Sequence, residues 1–270
     1  MTIRSRNRVN FIFLILSALI LLLNIGEFCY HFFTNNITYP LPPDSNSNFF
    51  LFRYSFWSII ASIFMINIYV VVTSYIIFRT FEKTQATEVL FFLVFLTSLL
   101  FDTSRLYVPV YGLVGSYSDT LIHIGNLTLA ARLLAPISLF ALTAFSGESF
   151  RQQTEQNCLI AILVSIFFAI FLPLNTTVIR PNLCLSYGFT KAVHIFSIIT
   201  SIISVITLFI HNNNNDFSQL NTLGFIMLII GYNTLFSCYN FAAFIVGLGV
   251  FASGTALYLT KLHQHYLWID

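Results

Sequence analysis

Charged residues are scarce in this chain. They make up 8% of its 270 residues, whereas an ordinary soluble domain carries roughly 25%. So few charges cannot cover a globular surface, which excludes a soluble enzyme and a disordered chain. The formal net charge of +2 is also too small to indicate a nucleic-acid partner. Because 57% of the residues are hydrophobic, the composition predicts a polytopic membrane protein that contacts the lipid bilayer.

Catalytic and cofactor-binding signatures are missing too. The chain holds no H-E-x-x-H motif, no G-x-S-x-G elbow, no P-loop and no G-x-G-x-x-G turn, so we do not expect an enzyme. Four scattered cysteines do not form a disulfide framework. His31, His123 and His194 are the conceivable haem ligands, but none has a second histidine at useful spacing on its own helix. We therefore expect no cofactor and no metal.

Apolar runs of about 20 residues, the length that crosses a bilayer, occur eight times. The stretch from Gln219 to Lys261 is too long for a single crossing, so we divide it into two spans. A seven-span bundle stays open if one of these two is re-entrant. The predicted fold class is thus an all-α transmembrane bundle. Its spans are Asn10–Phe33, Phe56–Phe78, Glu88–Val110, Leu121–Phe145, Cys158–Thr176, Phe189–Ile210, Gln219–Phe236 and Asn240–Lys261.

Basic residues beside the spans predict the orientation, because they are enriched in cytoplasmic loops. With both termini inside, seven lie on the inner side and four on the outer side, which favours a multi-pass protein of the cytoplasmic (inner) membrane. Residues 1–9 form a basic cytoplasmic tail, 10–262 the bundle and 263–270 a short cytoplasmic tail. The inner residues are Arg4, Arg6, Arg8, Arg79, Lys83, Arg151 and Lys261; the outer ones are Arg53, Arg105, Arg180 and Lys191.

Ionisable residues within the spans gather in their outer halves. Charges inside a bilayer are costly and usually mark a function or a pairing. We predict a polar cavity open to the outer side, in which Arg105 and Arg132 bind an anion and Glu27 and Asp102 are their resting counter-charges. The alternative is that the acidic and basic groups form salt bridges that only fix helix packing. The predicted ligand-binding residues are Glu27, His31, Arg53, Asp102, Arg105, His123, Arg132 and His194.

Other features indicate packing. Ala243 and Gly247 make a small-xxx-small face on the last span, which fits burial in the bundle or a homo-oligomer seam. Pro136 and Pro173 predict kinks in the fourth and fifth spans.

Function follows only in outline from these features. The leading hypothesis is a receptor or sensor-like module that binds a small anionic or amphiphilic ligand and signals through a membrane or cytoplasmic protein partner. A bundle of seven or eight helices with short loops resembles the membrane part of bacterial sensors and, equally, small transporters. The alternatives are therefore a small secondary transporter or flippase, and a structural subunit of a larger complex.

Overall fold

The computed structural model describes residues 3–40, 49–82, 84, 86–114, 118–145, 154–214 and 219–267. Within these ranges eight helical segments are long and apolar enough to cross a membrane, which confirms an all-α multi-pass bundle. The region that left seven spans open forms two separate helices. The elements are α1 (Ile3–Phe33), α2 (Phe56–Thr80), α3 (Glu88–Asp102), α4 (Tyr107–Val110), α5 (Asp119–Ala144), α6 (Thr154–Phe171), β1 (Leu174–Ile179), β2 (Leu185–Tyr187), α7 (Thr190–Asn214), α8 (Gln219–Phe236) and α9 (Phe241–Leu267).

Polar side chains mark several helix starts. Ser55 and Ser118 each precede a helix, and their hydroxyls accept a hydrogen bond from a backbone N–H three residues on. Asn240 does the same for α9 through its side-chain oxygen, 2.8 Å from the Ala243 nitrogen. These caps satisfy N–H groups that have no partner within the helix. They fix the start of three spans at one end of the bundle.

α3 is the central helix, and α5 packs against it. In the most apolar window of α3, 83% of the residues are buried inside the protein, compared with 72% for α5 and only 17% to 22% for α1, α6 and α7. The centre is filled by aromatic rings, among them Phe91, Phe92 and Phe95 with Tyr232 and Phe251. α1, α6 and α7 therefore present most of their apolar surface to lipid.

Four glycines bring α8 and α9 into close contact. A Cβ atom added at Gly231 would lie 2.5 Å from the Phe251 backbone, and one at Gly254 would lie 2.5 Å from the Leu228 nitrogen. Gly224 and Gly247 are similarly crowded across the same seam. Small residues allow backbones to approach in membranes, where dispersion contacts drive helix association. The Gly247 face expected for a bundle or a homo-oligomer therefore packs within this chain.

The fifth span is shorter than expected. The prediction ran to Thr176, but α6 ends at Phe171, so Pro173 lies beyond the helix and does not kink it. The residues after this proline enter β1, of which the last four are β-branched, and β1 pairs antiparallel with β2 in a two-stranded hairpin. Pro136 does lie inside α5, as predicted. The apolar run continued across the boundary, which hid the helix end from the sequence.

The two ends of the bundle differ in construction. One end, called the hairpin end below, holds the β1–β2 hairpin and the α8–α9 turn; the other, the termini end, holds the starts of α1 and α3 and the end of α9. Residues expected as flanking tails are helical, because α1 begins at Ile3 and α9 continues to Leu267. Lys83, Arg151 and residues 268–270 lie outside the described residues.

Candidate functional site

A buried ion pair forms where α3 ends. After Asp102 the chain tightens into a 3-10 turn, Thr103–Leu106. Because such a turn has three residues per turn, side chains three apart lie above one another. Arg105 Nε is accordingly 3.1 Å from Asp102 Oδ2, and both side chains are 0% exposed. This confirms the predicted pairing of these two residues.

The last carbonyl of α8 accepts hydrogen bonds from three side chains elsewhere in the chain. Phe236 O accepts from Arg105 Nη1 at 3.2 Å, from Arg132 Nη2 at 3.1 Å and from Asn182 Nδ2 at 3.0 Å. The final carbonyls of a helix have no partner within it and carry the negative end of the helix dipole. Two guanidinium groups from different helices thus converge on one oxygen. Sequence reasoning could not identify this acceptor, because every residue has a backbone carbonyl.

The tip of the hairpin covers this cluster. Asn182 O accepts from Arg105 Nη1 at 3.2 Å, and the Arg132 Nη2 atom is 3.0 Å from Cys184 Sγ. Leu183, whose φ is +66°, packs into an apolar cluster with α2 residues. The hairpin therefore enters the bundle. The sequence predicted a cavity open to the outer side, but Asp102 and Arg105 are closed off beneath the hairpin.

The cluster, defined here as Asp102, Arg105, Arg132, Asn182 and the Phe236 carbonyl, has an excess of positive charge. Two arginines face one carboxylate. Among the described residues, neither Asp102 oxygen has a hydrogen-bond partner of normal geometry, and neither do Arg105 Nη2 and Arg132 Nε. Buried polar groups are nearly always paired, so these atoms make the cluster a candidate for binding a further polar group.

A small cavity lies beside Arg132. It measures about 70 Å³ and includes polar groups of Tyr187, His194, Ser197 and Asn233 in its lining. Arg132 is half-buried and His194 is exposed, which makes the cavity reachable from the outside of the bundle. At about 30 Å³ per water molecule, the space suits a group of a few heavy atoms. Of these lining residues, the sequence pointed to Arg132 and His194 as ligand-binding.

The other predicted site residues lie elsewhere. Glu27 and His31 form their own pair, 3.8 Å apart on the surface of α1, so Glu27 is not the counter-charge of Arg132. Arg53 and His123 are exposed. Near Glu27, partial burial and the carboxylate itself raise the pKa of the Tyr111 hydroxyl above its ordinary value. The structure thus gathers Asp102, Arg105, Arg132 and the edge residue His194, but not all eight.

The termini end also buries charge, which the sequence did not indicate. Arg6 is 4% exposed, and its terminal nitrogens donate to the carbonyls of Phe81 and Thr84. Glu88, 6% exposed, accepts a 2.7 Å hydrogen bond from the Tyr266 hydroxyl. In the sequence, Arg6 lies in the predicted tail before the first span and Glu88 begins the third span. Among the described residues, no group of three or more His, Cys, Asp or Glu side chains could hold a metal ion.

The fold and the cluster define a multi-pass α-helical membrane protein with a buried, positively charged site near one end. Comparisons with protein-family models, curated proteins and solved structures find no match to this chain. Its function must therefore be argued from its own residues.

Proposed function

We propose that this chain is a receptor or sensor-like membrane module that binds the anionic group of a small ligand in the cavity beside Arg132. The observation that supports this most is that one buried aspartate, Asp102, faces two arginines, the buried Arg105 and the half-buried Arg132. An anion in the cavity would balance that charge and accept hydrogen bonds from donors that lack partners. Ligand binding would thus be coupled to the contact between α5, α8 and the hairpin.

In this proposal the protein lies in a cytoplasmic membrane with both termini inside. The hairpin end then faces outward, and the bound state is passed to a partner protein through helix–helix contact in the membrane. α1, α6 and α7 offer the most lipid-facing surface for such a partner. The proposal involves no catalysis and no cofactor.

Thermal unfolding of the purified protein in detergent tests the binding step. We expect sodium butanoate, compared with sodium chloride at equal ionic strength, to raise the unfolding midpoint of the wild type. A ligand at ten times its Kd stabilises the folded state by about 1.4 kcal/mol, equivalent to about 3–5 °C. Arg132→Lys and Ser197→Leu, which respectively change the donor geometry and fill the cavity, should remove the shift. Arg53→Gln, at an exposed site, should leave it intact.

An equal shift in the wild type and in Ser197→Leu would contradict the proposal, and so would the absence of any shift. The Ser197→Leu variant keeps both arginines and the Phe236 contacts. It therefore separates loss of the cavity from loss of the fold.

A second candidate function is a small anion transporter. The observation that favours it is the buried charge at the termini end, where Glu88 lies among the lining of another small polar cavity with His211 and Asn212. Intramembrane ionisable groups spaced across the bilayer mark ion pathways. Uptake of radiolabelled butanoate into proteoliposomes distinguishes the two functions. If the protein is a transporter, proteoliposomes take up more label than protein-free vesicles. If it is a receptor module, the two take up the same amount.

A further inference from the structure

An apolar groove runs along the lipid-facing side of the bundle between α5, α6 and α7. Its volume is about 640 Å³, within the range of about 300–1,000 Å³ that is typical of small-molecule sites. Four phenylalanines line it, and Thr200 is its one polar residue among the described residues. The four are Phe140, Phe168, Phe189 and Phe196.

The groove lies next to the cavity beside Arg132. Val193, a buried residue of α7, lines both spaces. On α5, Leu133 lines the groove and the preceding residue, Arg132, lines the cavity. On α7, Phe196 lines the groove and the next residue, Ser197, lines the cavity. One molecule could therefore place a charged group against Arg132 and an apolar segment along the groove.

Among the described residues, positive charge lies near this end of the groove. Lys191 is exposed at the start of α7. The Arg180 guanidinium lies over the Tyr187 ring at 4.9 Å and donates to the Thr190 hydroxyl. With Arg132, these groups give the groove a cationic end and an apolar length, which is the complement of an anionic amphiphile.

We propose that the groove holds the hydrocarbon chain of a single-chain carboxylate of the fatty-acid class, whose carboxylate occupies the cavity beside Arg132. This inference rests on the proposed function and names its ligand class. A carboxylate has three heavy atoms and fits a cavity of about 70 Å³, whereas a glycerophospholipid headgroup is far larger. The chain would bury its methylenes against the phenylalanine side chains.

The lining of the groove argues against a transmembrane helix as its occupant. Helices that associate in membranes present small residues at the seam, so that the backbones approach. Here the lining is mostly large side chains, and Ala192 is its one small residue among the described residues. A flexible hydrocarbon chain follows such an uneven surface more closely than a helix does.

Binding of a series of unbranched carboxylates with four to sixteen carbons tests the proposal. The purified protein in detergent is dialysed against each compound, and protein-free micelles correct for partition. We expect the affinity to rise about fourfold for each added methylene until the groove is filled, equivalent to about 0.8 kcal/mol per methylene. Alcohols of the same length should bind at least tenfold more weakly.

Ala192→Trp fills the groove at an exposed position and should flatten the chain-length dependence while leaving butanoate binding unchanged. Ala252→Trp, at an exposed position on α9, is the matched control and should keep the wild-type slope. If the affinity of the wild type does not change with chain length while butanoate still binds, the groove proposal is overturned and the proposed function stands. Equal affinities for alcohols and carboxylates would overturn both.

Discussion

The termini end and the hairpin end of the bundle both bury an arginine, but the two arginines differ in their hydrogen-bond partners. At the termini end, both terminal nitrogens of Arg6 donate to carbonyls of the loop between α2 and α3. At the hairpin end, Arg105 uses Nη1 for two carbonyls while Nη2 has no hydrogen-bond partner among the described residues. Asp102 lies within ion-pair distance and likewise lacks a hydrogen bond of normal geometry.

This difference separates a structural role from a binding role. Backbone carbonyls supply Arg6 with acceptors that no ligand needs to replace, so its burial is explained by joining α1 to the next loop. At the hairpin end two arginines face one carboxylate, and one of them, Arg132, borders a cavity. Burial of charge with an unpaired donor is thus not sufficient evidence for a site, because Arg6 Nε also lacks a hydrogen-bond partner among the described residues. An adjoining cavity is stronger evidence.

Labelling with a membrane-impermeant maleimide gives the largest expected effect, because it is all or none. With Cys29 and Cys158 replaced by serine, Val178→Cys in the hairpin should be labelled in intact cells. Glu82→Cys, exposed at the termini end, should be labelled only after permeabilisation. The reverse pattern would place the hairpin end on the cytoplasmic side and contradict the proposed orientation.

Removing the acidic member of the buried pair gives the next largest effect. Asp102→Asn leaves Arg105 without its counter-charge, which should lower the free energy of unfolding by about 3–5 kcal/mol. Unfolding in a detergent and dodecyl sulfate mixture measures the change. Glu27→Gln breaks the more exposed pair with His31 and should cost only about 0–1 kcal/mol. Equal losses would mean that burial does not distinguish the two pairs.

A substitution at the termini end should lower the stability of the protein without changing its response to butanoate. Tyr266→Phe removes the 2.7 Å hydrogen bond to the Glu88 carboxyl group, and we expect a loss of about 1.5–3 kcal/mol in unfolding free energy. Butanoate should raise the unfolding midpoint of this variant as much as that of the wild type. Tyr239→Phe, on an exposed side chain, is the control. A lost butanoate response in Tyr266→Phe would show that the two ends are coupled.

Much of the fold could be predicted from the sequence, because span number depends on apolar length. The exact helix end at Phe171 could not, since the apolar residues Leu172 and Leu174 continue past it on either side of Pro173. Asp102 and Arg105 are three residues apart, so their pairing follows from local geometry. Arg132 was identified by its depth, but its contacts with Phe236 O and Cys184 connect distant parts of the chain.

Residues at span edges were the least predictable. Arg6 and Glu88 resemble the interfacial residues that flank many spans, and only tertiary packing buries them. The sequence likewise placed eight polar residues at similar depths. Depth alone does not say which face of a helix a side chain occupies, so the Glu27–His31 pair, Arg53 and His123 were grouped with a cluster to which they do not belong.

The Phe236 carbonyl has a consequence for biogenesis. It follows Arg105 by 131 residues, so the third span enters the lipid long before one of the two carbonyl acceptors of Arg105 has been synthesised; the other, Asn182 O, follows by 77 residues. Until α8 is inserted, the neighbouring Asp102 is the closest compensation that Arg105 has. In ribosome-bound chains truncated ahead of α8, the third span should therefore be less stably inserted in the bilayer than in complete chains. Insertion of α8 and α9 would then be the step that stabilises the earlier helices.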